Sequence, residues 1–209
     1  MKTVELFAGT KSFSKVASQL GHETFTVDNE GTLQPDRVAD LLYLDSKEDI
    51  WAKIKEADIV WMSPPCTTFS MASGNTHWTA DRKPKTTNAK IGKELLDVCK
   101  EVAKYCKENN KLYFIENPRA RMRWFMPDDE TRKTVWYCQY GHNNAKPTDI
   151  WTNLISWIPK CCKNGNKDCH HEPAPRGSKT GTQGIKGAKD RGVIPSKLFK
   201  EIFKEVRSR

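Results

Sequence analysis

Residues 59–66 read IVWMSPPC, four apolar residues that run into a turn of serine, two prolines and a cysteine. A short apolar run bounded by turn residues is typical of a buried strand in a parallel sheet. Similar apolar runs precede and follow it, and stretches with helical spacing lie between them. This alternation predicts an α/β fold in which βαβ units build the sheet.

The same patterns place the other elements. Strands are predicted at 4–7, 24–27, 59–62, 112–115 and 134–140, with a further short element at 38–44. Helices are predicted at 11–20, 50–55, 90–109 and 194–206, the last two with a clear apolar face. Residues 67–89 are polar and basic, which predicts a long, mobile loop with a functional role.

The composition indicates which kind of partner the protein binds and in which compartment it lies. With 209 residues we expect a single domain over 1–209, and the net charge of +9 favours a polyanion such as nucleic acid over simple surface solvation. There is no apolar run of about 18 residues, so we expect no membrane span, and the first residues indicate a strand and not a secretory leader. Seven scattered cysteines favour reduced thiols in a cytoplasm.

Two groups that follow predicted strands suit attack on a pyrimidine. Cys66 lies on a proline-stiffened turn, and Glu116 ends the apolar strand 112–115. A thiolate can add to C6 of cytosine while a protonated glutamate holds N3, which makes C5 nucleophilic; burial would favour that protonated carboxyl. The alternative for Cys66 is a small buried apolar residue, and Asn117 is expected to support the turn.

Both motifs resemble those of the cytosine-C5 DNA methyltransferase family. SPPCTTFS at 63–70 resembles Pro-Pro-Cys-Gln-x-Phe-Ser, and ENP at 116–118 resembles Glu-Asn-Val, with Pro118 as a departure. The resemblance spans nearly the whole chain. It implies a Rossmann-like class I sheet that uses S-adenosylmethionine, with Cys66 as the nucleophile and Glu116 at N3.

The resemblance also implies the cofactor residues. FAGT at 7–10 resembles the first family motif, Phe-x-Gly-x-Gly, although Lys11 and Ser12 stand where the second glycine is expected; a tight turn that needs only Gly9 is the alternative. This turn leads into a helix N-terminus, which suits a ligand carboxylate. RGVIP at 191–195 resembles the last motif, which completes the pocket. The implied S-adenosylmethionine contacts are Phe7, Ala8, Gly9, Thr10, Asp28, Asn29, Asp40 and Pro64, with a helix cap as the alternative for Asp40.

One family motif is reduced in this chain. The family's Gln-x-Arg-x-Arg polarises cytosine O2 through its second arginine, but here QYG at 139–141 and KPT at 146–148 carry no arginine. Lys146 is the nearest cation and is expected to act there as a point charge. Candidate nucleic-acid contacts are Ser70, Arg119, Arg121, Arg176 and Lys179. For the arginines after Glu116, contact with the Cys66 loop or plain solvation are alternatives.

Residues 153–183, here called the recognition segment, stand where the family often carries a small target-recognition domain. The segment is rich in Cys, His, Gly, Lys and Pro and has little apolar content. Cys162, Cys169 and His170 are candidate zinc ligands that would order this irregular insertion, with reduced thiols and surface histidines as the alternative.

The leading hypothesis is a compact, phage-like DNA cytosine-C5 methyltransferase that flips a base out of duplex DNA, in the cytoplasm of a bacterium or a phage-infected cell. An RNA cytosine-C5 methyltransferase is the nearest alternative, and a non-catalytic homologue that binds nucleic acid or cofactor is another. An amino-group methyltransferase is disfavoured, because Cys66 replaces the aromatic residue of its Pro-Pro-Tyr motif. Whether a partner subunit completes target recognition is left open.

Overall fold

A computed structural model describes residues 1–173 and 192–208. Its centre is a seven-stranded sheet with the order β3-β2-β1-β4-β5-β7-β6. The strands are β1 (Lys2–Leu6), β2 (Glu23–Asp28), β3 (Arg37–Val38), β4 (Ile59–Met62), β5 (Leu112–Pro118), β6 (Arg132–Trp136) and β7 (Pro147–Thr152). Strands β1 to β5 are parallel, and β7 runs antiparallel between β5 and β6. The predicted Rossmann-like class I methyltransferase sheet is thereby confirmed.

Four helices flank the sheet in the described residues: α1 (Ser12–Gln19), α2 (Glu48–Glu56), α3 (Thr87–Glu108) and α4 (Ser196–Arg207). The Thr86 hydroxyl caps α3 by accepting a hydrogen bond from the Ala89 N–H at 3.2 Å. None of the described helices is both long enough and apolar enough to span a membrane.

Strand β4 shows why its sequence is apolar throughout. Val60 and Met62 face the core formed with α2 and α3, whereas Ile59 and Trp61 face the core formed with α1 and α4. Because both faces of the strand are covered, every position is buried, as is usual in parallel sheets. The Trp61 ring stacks on Phe13 of α1, with centroids 5.4 Å apart.

Three stretches differ from the predicted elements. The expected element at 38–44 is divided into β3 and a short 3-10 helix, Leu41–Ser46, because the Asp40 side chain caps the helix at that point. The strand expected at 134–140 ends at Trp136 and continues as the 3-10 turn Tyr137–Tyr140. Strand β7 was not predicted.

The predicted loop at 67–89 is anchored by aromatic side chains. Phe69 and Trp78 are buried and stack with centroids 5.5 Å apart, and Phe125 packs against both rings. The Trp78 indole N–H also donates to the Thr68 carbonyl at 2.7 Å. The loop that follows Cys66 is therefore tied to the core at two points.

Candidate active site

The turn after β4 presents Cys66 to solvent. Pro64 is buried and Cys66 is exposed, so the chain leaves the sheet between them. The Cys66 carbonyl accepts a hydrogen bond from the Phe69 N–H at 3.0 Å, which closes a turn directly behind the cysteine. An exposed thiol on a backbone held from both sides suits a nucleophile.

Asn117 fixes this turn from the neighbouring strand. Its side-chain amide is 1% exposed and donates from Nδ2 to the Pro64 carbonyl at 3.0 Å. The bond joins the carboxyl end of β5 to the Cys66 turn. Asn117 thus supports the turn, as the sequence suggested.

Glu116 lies in β5 beside that bond and is buried, 7% exposed. The Tyr137 hydroxyl donates to Glu116 Oε1 at 3.0 Å. Burial raises the pKa of Glu116; the charge of Lys146 and hydrogen bonds from Tyr137 and Ser63 oppose that rise without cancelling it. The carboxyl therefore keeps its proton to higher pH than an ordinary glutamate and can act as a hydrogen-bond donor.

Tyr137 contacts two of the three predicted catalytic residues, Glu116 and Lys146. Lys146 Nζ lies 4.7 Å from the centre of the Tyr137 ring. Burial raises the pKa of Tyr137 well above its ordinary value, and the nearby charges of Glu116 and Cys66 raise it further. Glu116 and Lys146 therefore both contact one buried phenol. Tyr137 was not predicted, because nothing in its local sequence separates it from a core aromatic residue.

The predicted cofactor turn lies at the carboxyl end of β1. Phe7, Gly9 and Lys11 all have positive φ, at 57°, 44° and 55°, which folds the chain tightly between β1 and α1. The Gly9 N–H donates to Asp28 Oδ2 at 2.8 Å, so the ends of β1 and β2 are joined through the predicted ribose-binding carboxylate. Ala8 is buried beside them and donates its N–H to the Val27 carbonyl.

Glu5 holds the start of α1, which we had expected to face a ligand carboxylate. The Glu5 carboxylate is buried and accepts from the N–H groups of Phe13 at 3.2 Å and Ser14 at 2.9 Å. Burial raises the pKa of Glu5 to about 7, against the lowering effect of these hydrogen bonds. The protein's own carboxyl therefore occupies these two N–H groups, and a ligand carboxylate at this turn stays a prediction for its other backbone groups.

The remaining predicted cofactor residues lie along the same edge of the sheet. Asn29 is exposed after β2, and exposed Asp40 accepts from the Leu42 N–H at 3.0 Å as a helix cap. The Thr10 hydroxyl lies 2.8 Å from that of Ser12, which in turn accepts from the Ile194 N–H at 3.4 Å. Residues just before α4 thus reach the first motif, as the last family motif implies.

The candidate nucleic-acid contacts differ in their surroundings. Arg121 is buried and donates from its guanidinium to the Ser70 carbonyl at 2.7 Å, which is a contact with the Cys66 loop. Arg119 is exposed and lies over the Trp136 ring at 5.0 Å. Arg176 and Lys179 lie outside the described residues.

Four metal-ligating side chains meet between the turn 137–140 and the recognition segment. Cys138, Cys162, Cys169 and His171 place their ligand atoms within 4.8 Å of one another. Two of the three predicted ligands are in this group, but His170 is not. Consecutive side chains point in different directions, so buried His171 faces the thiols while exposed His170 contacts the His142 carbonyl at 3.1 Å. The prediction of His170 is corrected to His171, and Cys138 is added.

The sheet order defines a methyltransferase-type fold, and Cys66 and Glu116 lie at the carboxyl ends of its adjacent strands β4 and β5. No protein-family model matches the chain. A probable DNA (cytosine-5)-methyltransferase of Frog virus 3 (isolate Goorha) is 30% identical over 175 residues, covering 81% of this chain and 78% of the relative. The chain therefore belongs to the cytosine-5 methyltransferase family, whose methyl donor is S-adenosylmethionine.

Solved structures with similarity to the chain include two of the DNMT2 type. A DNMT2 mutant of Spodoptera frugiperda gives a TM-score of 0.48 at 15% identity, covering 83% of this chain and 57% of that one. The Dnmt2 methyltransferase of S. pombe gives 0.43 at 14% identity, covering 73% and 48%. The chain thus spans about half the length of these two proteins.

Proposed function

We propose that this protein methylates C5 of cytosine in DNA, with Cys66 as the nucleophile and Glu116 as the acid at N3. The observation that carries the proposal is the buried Glu116 carboxyl, placed one residue before the amide that holds the Cys66 turn. The viral relative, named as a probable DNA (cytosine-5)-methyltransferase, supports DNA as the substrate.

In this mechanism the Cys66 thiolate adds to C6 of the cytosine and forms a carbon–sulfur bond. Protonated Glu116 gives its proton to N3 as the bond forms. The electrons of the C5–C6 double bond then lie in an enamine, whose C5 is nucleophilic. Once C5 carries the methyl group, it loses its proton to solvent. The C5–C6 double bond then re-forms, N3 returns its proton to Glu116, and Cys66 leaves as a thiolate.

S-adenosylmethionine, when bound, supplies the electrophilic methyl group. The residues at the carboxyl edge of the sheet fit such a ligand. The turn at Gly9 is bonded to the half-buried carboxylate of Asp28, and that carboxylate can also accept hydrogen bonds from ribose hydroxyls. We assign Phe7, Ala8, Thr10 and Pro64 to the methionine end. Asn29 and Asp40 are assigned to the nucleoside end.

Lys146 takes the position of the cation at cytosine O2 in this proposal. Its ammonium lies on the ring of Tyr137, which contacts Glu116, so it is on the same side of the site as the acid. A lysine supplies charge without the paired N–H groups of a guanidinium, and we therefore expect weaker polarisation than an arginine would give.

The substrate is duplex DNA with the target base flipped towards Cys66. Ser70 and exposed Arg119 are assigned to contacts with the DNA, and Arg176 and Lys179 in the recognition segment to phosphates, while buried Arg121 holds the Ser70 carbonyl. The net charge of +9 suits this partner. We place the reaction in one domain over 1–209, in the cytoplasm of a bacterium or an infected cell, with a partner subunit as an addition to test.

The test is transfer of a labelled methyl group to duplex DNA and to RNA of the same sequence, with the product nucleoside identified by mass spectrometry. The proposal predicts 5-methylcytosine in the DNA, lost in Cys66→Ser. Methylation confined to RNA would overturn the choice of substrate. Methylation on the exocyclic amine would overturn the mechanism.

A further inference from the structure

We propose that Cys138, Cys162, Cys169 and His171 bind one Zn²⁺ ion that fastens the recognition segment to the turn carrying Tyr137. Three thiols and one imidazole are a frequent ligand set of structural zinc sites. Because all four positions would come from the protein, the site is closed and its role is structural.

The geometry is close to that of a bound ion. All four ligand atoms lie within 4.8 Å of one another, and Cys162 Sγ is 3.9 Å from His171 Nδ1. A tetrahedral zinc with bonds of about 2.0–2.3 Å separates its ligand atoms by roughly 3.4–3.8 Å. Small side-chain rotations therefore bring the four atoms to bonding distance, without a rearrangement of the backbone.

Neighbouring amides donate hydrogen bonds to the thiols. Gln139 Nε2 donates to Cys169 Sγ at 3.5 Å, and Asn166 Nδ2 donates to Cys162 Sγ at 3.6 Å. Hydrogen bonds from outside the ligand set are a regular feature of metal centres, where they orient the ligands and spread their charge. These amides are placed as they would be around zinc thiolates.

His171 supplies the nitrogen ligand from a buried position. The ring is 4% exposed, and its Nδ1 lies 3.9 Å from Cys162 Sγ. Coordination through Nδ1 would use the lone pair of the neutral ring, as imidazole ligands of zinc do.

Among the described residues, the apolar cluster around these four ligands is small. The local apolar cluster consists of Trp136, Cys138 and Ala145, with two of the candidate ligands packed against it. A cluster this small contributes little to folding, whereas the free energy of zinc binding acts directly as folding free energy.

The ion would also link target recognition to the reaction centre, an extension that rests on the proposed function. Cys138 follows Tyr137, which donates to Glu116. On the other side, the Glu172 N–H donates to the Asn143 carbonyl at 3.1 Å, three residues before Lys146. Zinc at this position would hold the recognition segment against residues 137–146, the stretch that supplies both Tyr137 and Lys146.

The test is metal analysis of the full chain, purified in reduced form with any affinity tag removed and reconstituted with Zn²⁺ before dialysis. We expect about one zinc per chain. Cys162→Ser and His171→Ala should lower this content about tenfold or more, whereas the adjacent variants Cys161→Ser and His170→Ala should retain it. Co²⁺ in place of zinc should give the visible absorption of a tetrahedral thiolate site.

Far-ultraviolet circular dichroism shows whether each variant keeps the folded sheet, so that loss of metal is distinguished from loss of fold. The proposal is overturned if reduced wild-type protein retains no zinc, or if Cys161→Ser loses it as fully as Cys162→Ser. Metal content is measured without substrate. Failure of the zinc proposal is therefore distinguishable from failure of the methylation proposal.

Discussion

The side-chain amide of Asn117 donates a hydrogen bond to the backbone carbonyl of Pro64 across 3.0 Å. The residue before Asn117 is the buried acid Glu116, and the residue two after Pro64 is the exposed Cys66. This buried contact therefore ties the position of Glu116 to that of the Cys66 turn, at the ends of the paired strands β5 and β4. Asn117 acts as a positioning residue.

Replacing Asn117 with alanine should release the Cys66 turn. A displacement of about 1 Å can reduce a rate about 100-fold, so we expect kcat to fall between about 10-fold and 100-fold while the KM for S-adenosylmethionine changes little. Asn153→Ala is the matched control, because Asn153 also ties β5, through Tyr113 and Lys111, but at the opposite end. A rate for Asn117→Ala within about twofold of that of Asn153→Ala would contradict this role.

Removing the charge of Lys146 should shift the pH dependence of methyl transfer. In the proposed mechanism Glu116 acts in its protonated form, so activity should fall as pH rises through its pKa. The charge of Lys146 lowers that pKa, and Lys146→Met should therefore raise it and move the alkaline limb of kcat/KM to higher pH.

The control for this shift is Lys160→Met, since Lys160 lies over the Tyr140 ring, away from Glu116. The pH at which the limb falls is measured separately from the maximum value of kcat/KM. We expect that maximum to fall as well if Lys146 contacts the base. A limb that stays in place, or moves to lower pH, would argue against electrostatic coupling of Lys146 and Glu116.

Glu5 should make the protein less stable at alkaline pH. Its folded pKa of about 7 exceeds its unfolded value of 4.5, so the neutral form is favoured by folding. This contribution to stability is fully present below the unfolded pKa and is lost as pH rises through the folded pKa. At about 1.4 kcal/mol per pKa unit, the loss is roughly 3 kcal/mol.

Urea unfolding at about pH 5 and about pH 8 measures this loss. Glu5→Gln should remove most of it, whereas Glu23→Gln, on the exposed start of β2, should keep the wild-type pH dependence. The account fails if Glu5→Gln and wild type lose the same free energy of unfolding between the two pH values.

Arg123 should contribute to stability through buried Asp149. It donates to both carboxylate oxygens, at 2.6 and 2.7 Å, and the Asp149 side chain is fully buried. Arg123→Met leaves that carboxylate without its cation and should cost about 3–5 kcal/mol.

Arg132 offers the comparison for this ion pair, because its partner Asp128 is largely exposed. We expect Arg132→Met to cost less than about 1 kcal/mol. The free energy of unfolding of both variants is measured with urea. Equal decreases for Arg123→Met and Arg132→Met would contradict the idea that burial of Asp149 makes the loss of its partner costly.

The sequence identified elements whose pattern is local. Strand β4 was predicted with its observed bounds, because a strand buried on both faces is apolar at every position. Strand β7 was missed for the opposite reason. Its buried positions include Thr148 and Asp149, and the latter is accommodated by Arg123, a contact that the spacing of residues does not reveal.

The same limit applies to the site. Cys66 and Glu116 follow predicted strands within recognisable motifs, so the sequence pointed to both as candidates. Tyr137, Glu5 and Cys138 act through contacts with residues distant in sequence, and their own neighbours carry no signal. The choice between His170 and His171 depends on which way each side chain points, and the sequence alone does not determine that direction.

The central claim is that Cys66 bonds covalently to cytosine in DNA. The direct measurement is incubation with S-adenosylmethionine and duplex DNA containing 5-fluorocytosine, followed by denaturing electrophoresis, because fluorine at C5 cannot leave as a proton does. We predict a denaturant-stable complex for wild type and for Cys161→Ala, and none for Cys66→Ala. A complex that persists in Cys66→Ala, or its absence from wild-type protein that binds S-adenosylmethionine, would contradict the claim.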